Sequence, residues 1–457
     1  MLFRQTILTI MIMALSARPN LCGQTVDRIF STSELQTDFK FLRDRYENNL
    51  ANLYLYASKQ PLDTLFDSLY LNLKPMTALA FYSYITPLSS VIKDGHSNIL
   101  LSEQSIQHYN QNSKFFPFDI YWTDNKMFIT KNFSDDTTIH IGAEILSIND
   151  VGSKEVMAYL LIRQVRDGNN KNYALWILNN YFREYYSYHF GHPDSYSLVV
   201  KTTNGTEKRV IVAALSKQTI SSNKSSRYLQ ATNSDATFFN IDSTTNVAIF
   251  TIKTWYNKKL KKEIDFVFSQ LQEKKIDNLI LDLRDNQGGN FSPAIYLLSC
   301  LLNQPFHYFT EVKSVKHNSH TSQVLKSRNG KISGTHQPKK NSYKGKVYVL
   351  INGGCFSNTG TFCSRLEFYK RGIFIGEETG GNKVVFSGVF GLKGKVFLPN
   401  TGIVLDNSNY RLTVTDINEN TGHGILPNYW VKPNIDEIIQ DKDAILYTAF
   451  DLIEHNQ

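Results

Sequence analysis

Leu279-Ile280-Leu281-Asp282-Leu283-Arg284-Asp285-Asn286-Gln287-Gly288-Gly289 runs from an apolar strand into a double glycine, with a helix start near Ser292-Pro293. An apolar run bounded by such a turn is the pattern of a strand buried on both faces, as in a parallel sheet covered by helices. The turn leaves backbone N–H groups free at a helix amino end, where they can hold an anion or a developing oxyanion. A strand-to-helix turn that needs glycine for its dihedrals alone leaves the same trace.

Working outward, Val247 to Ile252, Lys346 to Ile351 and Ile373 to Ile375 repeat the buried-strand pattern, and Lys261 to Lys274 reads as a helix between the first two strands. Residues 245–457 therefore read as an α/β core. Residues 308–345 interrupt it with a polar, basic insertion, read as a surface loop or lid and not as part of the sheet. Residues 216–244, rich in Ser, Thr, Asn and Lys in their first part, read as a linker. Residues 114–215 carry short alternating strands at Phe118 to Trp122, Met127 to Thr130, Ala143 to Ile148 and Tyr196 to Lys201. Turn signals fall at Asn149-Asp150 and Asn204-Gly205, and a helix is expected from Lys154 to Arg163. Residues 24–113 show three- and four-residue apolar spacing (Leu35, Phe39, Leu42, Tyr46, then Leu65, Leu69, Leu73), the mark of amphipathic helices.

The first 23 residues, an apolar run from Ile7 to Leu15 followed by small and polar residues, have the layout of a secretory signal peptide. The expectation is an exported protein, periplasmic or extracellular, with no transmembrane anchor. The chain of 457 residues carries 49 Lys+Arg against 41 Asp+Glu, a net charge of +8 spread thinly. No arginine-rich or aromatic-interleaved tract marks a nucleic-acid binder. Four cysteines are too few for a disulfide scaffold; loss of the leader leaves Cys300, Cys355 and Cys363, of which Cys355 and Cys363 could pair. His317, His320 and His336 sit in the basic insertion without metal-ligand spacing, so neither a metal nor another cofactor is expected.

Two further segments carry chemistry. In Val347-Tyr348-Val349-Leu350-Ile351-Asn352-Gly353-Gly354-Cys355-Phe356-Ser357-Asn358-Thr359-Gly360, a strand leads through glycines to a serine at a helix start. That geometry presents a hydroxyl nucleophile beside a free amide, although a serine there also serves as an ordinary helix cap. It does not match the Gly-x-Ser-x-Gly elbow. Lys93-Asp94-Gly95-His96-Ser97 places a histidine after an Asp-Gly turn, where it can shuttle a proton or be structural.

Taken with Gly376-Glu377-Glu378-Thr379-Gly380, the closing Gly424-Ile425-Leu426-Pro427-Asn428, and their order and spacing, these segments resemble the tail-specific and tricorn-like serine peptidases of family S41. Ile141-Gly142-Ala143-Glu144-Ile145-Leu146-Ser147-Ile148-Asn149 is similar to the PDZ module such enzymes insert before the core. The resemblance implies a multidomain α+β fold: an N-terminal helical domain (24–113), a PDZ-like module (114–215) and a ClpP/crotonase-like ββα-spiral core. It also implies Ser357 as nucleophile. The lysine of the processing branch is replaced by Asn382, with Lys383 one residue away as an alternative base; His96 occupies the position of the tricorn-like base. Amides of Asn358 and of Gly288 or Gly289 would hold the oxyanion. The acid that orients His96 has no matching position: Thr421 stands there, Glu419 is the nearest candidate, and Asp94 is expected to set the turn. The implied activity is cleavage of peptides or unfolded protein tails; the alternative is an inactive peptide-binding scaffold of the same fold.

Overall fold

The computed structural model describes residues 26–228, 236–242, 244–316, 319–321, 326–327, 330–332, 334–388, 395–406 and 408–455. The expected signal peptide lies outside them. The chain begins with α1 (Thr32–Asn49), whose start is fixed by a capping box between Ser31 and Glu34. Then come α2 (Lys59–Leu71), α3 (Ala78–Ile85) and the short α4 (Leu88–Ile92). Leu35, Phe39 and Leu42 of α1 pack with Phe66, Phe81 and Ile85, and also with Leu398, Ile403 and Leu405 from far along the chain. The helical region is thus anchored on the core.

A second unit carries β1 (Phe118–Thr123), β2 (Lys126–Asn132), β3 (Glu144–Ile148), α5 (Ser153–Leu161), α6 (Asn172–Phe190), β4 (Ser195–Lys201) and β5 (Glu207–Ala213). The strands pair antiparallel in the order β5-β4-β3-β2-β1. Asn149 and Asp150 both take positive φ, as the Asn-Asp turn signal requires. The 19-residue α6 was not foreseen; its polar, tyrosine-rich face masks the apolar spacing of Ala174, Ile177, Leu178 and Phe182.

The expected linker is not structureless. It holds α7 (Lys217–Arg227), capped by Ser216 and pinned by Ile220, and then β6 (Thr237–Asp242). One buried apolar residue per three helical turns is too faint a period to read from sequence. From β6 onward the core sheet adds β7 (Val247–Ile252), β8 (Asn278–Asp282), β9 (Lys346–Ile351), β10 (Ile373–Gly376) and β11 (Tyr429–Trp430). These six strands lie in chain order; β6 is antiparallel to β7 and the others run parallel. One face is covered by α8 (Leu260–Glu273), α9 (Phe291–Leu301) and α10 (Asn358–Phe368), and the other by α11 (Ala444–Glu454). Burial on both faces is what makes β7, β8 and β9 unbroken apolar runs.

The insertion differs from expectation at its start. Tyr308, Phe309 and Val312 are buried in the core, and Glu311–Lys316 pairs with Tyr410–Thr413, which also pairs with Val385–Gly388. Its basic residues hide this apolar edge in any average over the segment. The three cysteines among the described residues, Cys300, Cys355 and Cys363, are buried free thiols. No helix among the described residues is long and apolar enough to cross a membrane.

Candidate active site

In a parallel sheet the open ends of neighbouring strands gather loops at one edge, where sites form. The carboxyl ends of adjacent strands β8 and β9 send out the Gly288-Gly289 turn and the Ser357 turn. The two interlock: Phe356 N–H donates to the carbonyl of Asn286, and Asn286 Nδ2 donates to the carbonyl of Ile252. A Cβ built on Gly288 (φ +103°) would lie 2.9 Å from Ser357 Cβ and 3.0 Å from Asn358 N, so glycine is required for this approach.

Ser357 stands at the N-cap of α10 with φ 56° and ψ −123°, and its side chain makes no capping hydrogen bond. A non-glycine residue in that region carries strain of about 1–3 kcal/mol, which persists only where the surroundings impose it. The surroundings do: Asn358 is fully buried, its Oδ1 accepting from Tyr308 and its Nδ2 donating to the carbonyl of Asn290. Trp255 Nε1 ties the next residue, Thr359, at 2.9 Å.

His96 arrives from the other end of the chain. Ile99–Leu100 pairs with Val404–Asp406, Asn98 Nδ2 donates to Asp406, and Ser408 donates to the carbonyl of His96. Its Nε2 lies 2.9 Å from Ser357 Oγ. The ring stacks on Phe356 at 4.7 Å and leans on Phe386 at 5.4 Å. This removal from water pushes the imidazole down to about 4, against the opposing pull of Asp94. The ring is therefore neutral at pH 7, the form able to accept a proton.

Asp94 is buried, and its Oδ1 accepts from the N–H of His96 and the hydroxyls of Ser97 and Ser387. It sets the turn, as expected. His96 Nδ1 is buried without a hydrogen-bond partner among the described residues. Glu419 is exposed in a short 3-10 turn and does not reach that nitrogen, because the Asp416 to Glu419 turn faces solvent. Lys383 sends its ammonium to Glu367 at 3.1 Å, while its N–H donates to the carbonyl of His423. Asn382, at the lysine position of the processing branch, is buried against Tyr56 and Asn420. Of the amides expected at the oxyanion, that of Gly288 is spent on Asn286 Oδ1 at 3.0 Å. Those of Gly289 and Asn358 make no hydrogen bond with described residues.

Sequence reading missed two contributors from the second unit. Tyr173 of α6 stacks on the other face of Phe356 at 3.8 Å. Asp167, in the loop before α6, bonds to the His96 turn; the Asp167-Gly168 turn signal was its one visible trace. Among the described residues no cluster of three or more His, Cys, Asp or Glu could hold a metal ion.

The mixed α/β core thus sets a strained serine hydroxyl 2.9 Å from the Nε2 of a buried histidine, a distance at which a hydroxyl can pass its proton to an imidazole. Residues 246–436 match the model of peptidase family S41. A tail-specific protease of Haemophilus influenzae is 26% identical over 145 residues, 31% of this chain and 18% of that protein. The match thus spans less than a fifth of that relative's length. Mature CPAF superposes with a TM-score of 0.62 at 12% identity, over 92% of this chain and 96% of that one. A CPAF mutant gives 0.64 at 12% identity, over 93% and 98%. At such identities the likeness is one of fold.

Proposed function

We propose that this protein is a serine endopeptidase acting on peptides or unfolded protein tails, with Ser357 as nucleophile and His96 as general base. The observation that carries the reading is the 2.9 Å approach of His96 Nε2 to the hydroxyl of a strained, partly exposed Ser357. Ser357 Oγ attacks the scissile carbonyl while its proton passes to Nε2; the oxyanion is held by the amides of Gly289 and Asn358. Collapse expels the amine, which takes the proton from Nε2, and water then releases the acyl group by the same relay in reverse. The match of residues 246–436 to the peptidase family S41 model supports a peptidase, and the similarity to a tail-specific protease supports an extended protein chain as substrate.

The unit at 114–215 is taken as a PDZ-like peptide-binding module between a helical domain (24–113) and a ClpP/crotonase-like core (245–457), and the leader as a signal for export to a periplasm or the exterior. An inactive peptide-binding scaffold is the second reading, prompted by His96 Nδ1, which has no hydrogen-bond partner among the described residues. A serine-directed fluorophosphonate separates the two. Labelling mapped to Ser357, absent in Ser357→Ala and strongly slowed in His96→Ala, supports the peptidase; an unlabelled wild type supports the scaffold.

A further inference from the structure

The loop joining α5 to α6 buries a carboxylate between two turns that belong to the site. Asp167 Oδ1 accepts the N–H of Gly95 at 2.8 Å, next to His96; Oδ2 accepts the N–H of Asn382 at 3.2 Å. We propose that Asp167 is a positioning residue: its two oxygens lock the turn that carries His96 to the turn that packs behind Ser357.

Packing on both sides of this carboxylate is tight. A Cβ on Gly95 would lie 2.6 Å from Asp167 Oδ1 and 2.7 Å from Phe356 Cζ, so the His96 turn is gripped between the carboxylate and the ring on which His96 stacks. Gly381, preceding Asn382, sits so close that a Cβ there would lie 3.1 Å from Ser357 N. The same loop fastens both turns again: Gly168 N–H donates to the carbonyl of Lys93, and Asn170 Nδ2 donates to the carbonyl of Thr379 at 2.6 Å. A carboxylate offers lone pairs to two N–H donors at once, and a carboxamide oxygen satisfies one of them at most in this geometry. Asp94 and the phenols of Tyr56 and Tyr173 are the ionisable groups whose charges it feels; burial and Asp94 raise the Asp167 carboxyl to about 7. So costly a buried acid is kept for what it holds in place.

The role presupposes Ser357 and His96 as the reacting pair, and the test separates the two ideas. Asp167→Ala and Asp167→Asn would be compared with wild type for peptide cleavage and, independently of turnover, for the His96 ring resonances in protein carrying 13C-labelled histidine, assigned with His96→Ala. The expected result is kcat lowered at least tenfold in Asp167→Ala with KM within about twofold, a smaller loss in Asp167→Asn, and displaced or broadened His96 signals in both. Wild-type kcat with unmoved His96 signals in a folded variant overturns the role, and so does failure of both variants to fold, which would make Asp167 a folding determinant. A wild type that cleaves nothing refutes the peptidase reading, while the His96 signals still report whether Asp167 positions the ring.

Discussion

Phe356 and His96 stack with ring centroids 4.7 Å apart and planes 23° from parallel, so the residue preceding the candidate nucleophile is also a wall for its candidate base. The opposite face of Phe356 is covered by Tyr173. One side chain thus transmits the position of the serine turn to the imidazole. Phe356→Leu keeps the burial and loses the flat face; kcat should fall about 3- to 30-fold, with about 1–2 kcal/mol lost in stability. Steady-state kinetics with chemical denaturation checks both, and unchanged kcat contradicts the coupling.

Gly288→Ala brings a methyl group against Ser357 Cβ and Asn358 N at a φ of +103°. Both turns must then shift, and cleavage should drop at least tenfold, with a destabilisation of about 1–3 kcal/mol. A variant with wild-type kcat/KM would show that the two turns need not interlock.

Lys383 is half-exposed and engaged with Glu367, while the serine hydroxyl is met by His96. Lys383→Met should leave kcat/KM within about twofold of wild type, as an exposed pair contributes little. A loss of a hundredfold or more would restore the lysine as base.

Arg284 bridges Asp282, at the end of β8, to Asp443, which caps α11. Removing the guanidinium strands two part-buried carboxylates, so Arg284→Met should cost about 2–4 kcal/mol. Because Asp443 caps the helix that covers the sheet face opposite α10, kcat of the folded fraction should stay within about threefold. Denaturant titration and kinetics together read the split.

The pH dependence has two opposed parts. His96 is held near 4 in the fold against an ordinary 6.5, so the unfolded ring takes up a proton that the native ring refuses, and stability falls as pH drops from about 6.5 to about 4. Asp167 is raised to about 7 from 3.8, so the native carboxyl keeps a proton that the unfolded one has lost, and stability falls as pH rises through that window. Asp167→Asn removes the second part alone. Its melting temperature should climb more steeply than that of wild type between pH 4.5 and 6.5; equal slopes contradict the assignment. For wild type, the acidic limb of kcat/KM should lie near 4, not near 6.5.

Much of this was legible in sequence. Val247–Ile252 and Lys346–Ile351 were read to the residue, because strands covered on both faces show as unbroken apolar runs. Ser357, His96 and the glycine pair stood out because each ends an element with a turn that needs small or polar residues. Asp167 did not, since its partners are backbone N–H groups at Gly95 and Asn382, and a contact with backbone leaves no residue pattern at the distant site. The Gly288 amide was misjudged for the same reason: its acceptor is a side chain two positions earlier, Asn286, which sequence reads as part of the turn. The helix Lys217–Arg227 escaped because it buries Ile220 and little else.

A serine peptidase driven by His96 must cut peptide bonds, and cleavage is its plainest readout. Wild type, Ser357→Ala, His96→Ala and Lys383→Ala would be incubated with an unfolded protein and with peptides ending in apolar residues, and the products identified by mass spectrometry. Cleavage by wild type and Lys383→Ala, abolished in Ser357→Ala and reduced about 10²- to 10⁴-fold in His96→Ala, is the predicted result. A wild type that binds these chains and cuts none of them, or a His96→Ala variant that cuts as well as wild type, would contradict it.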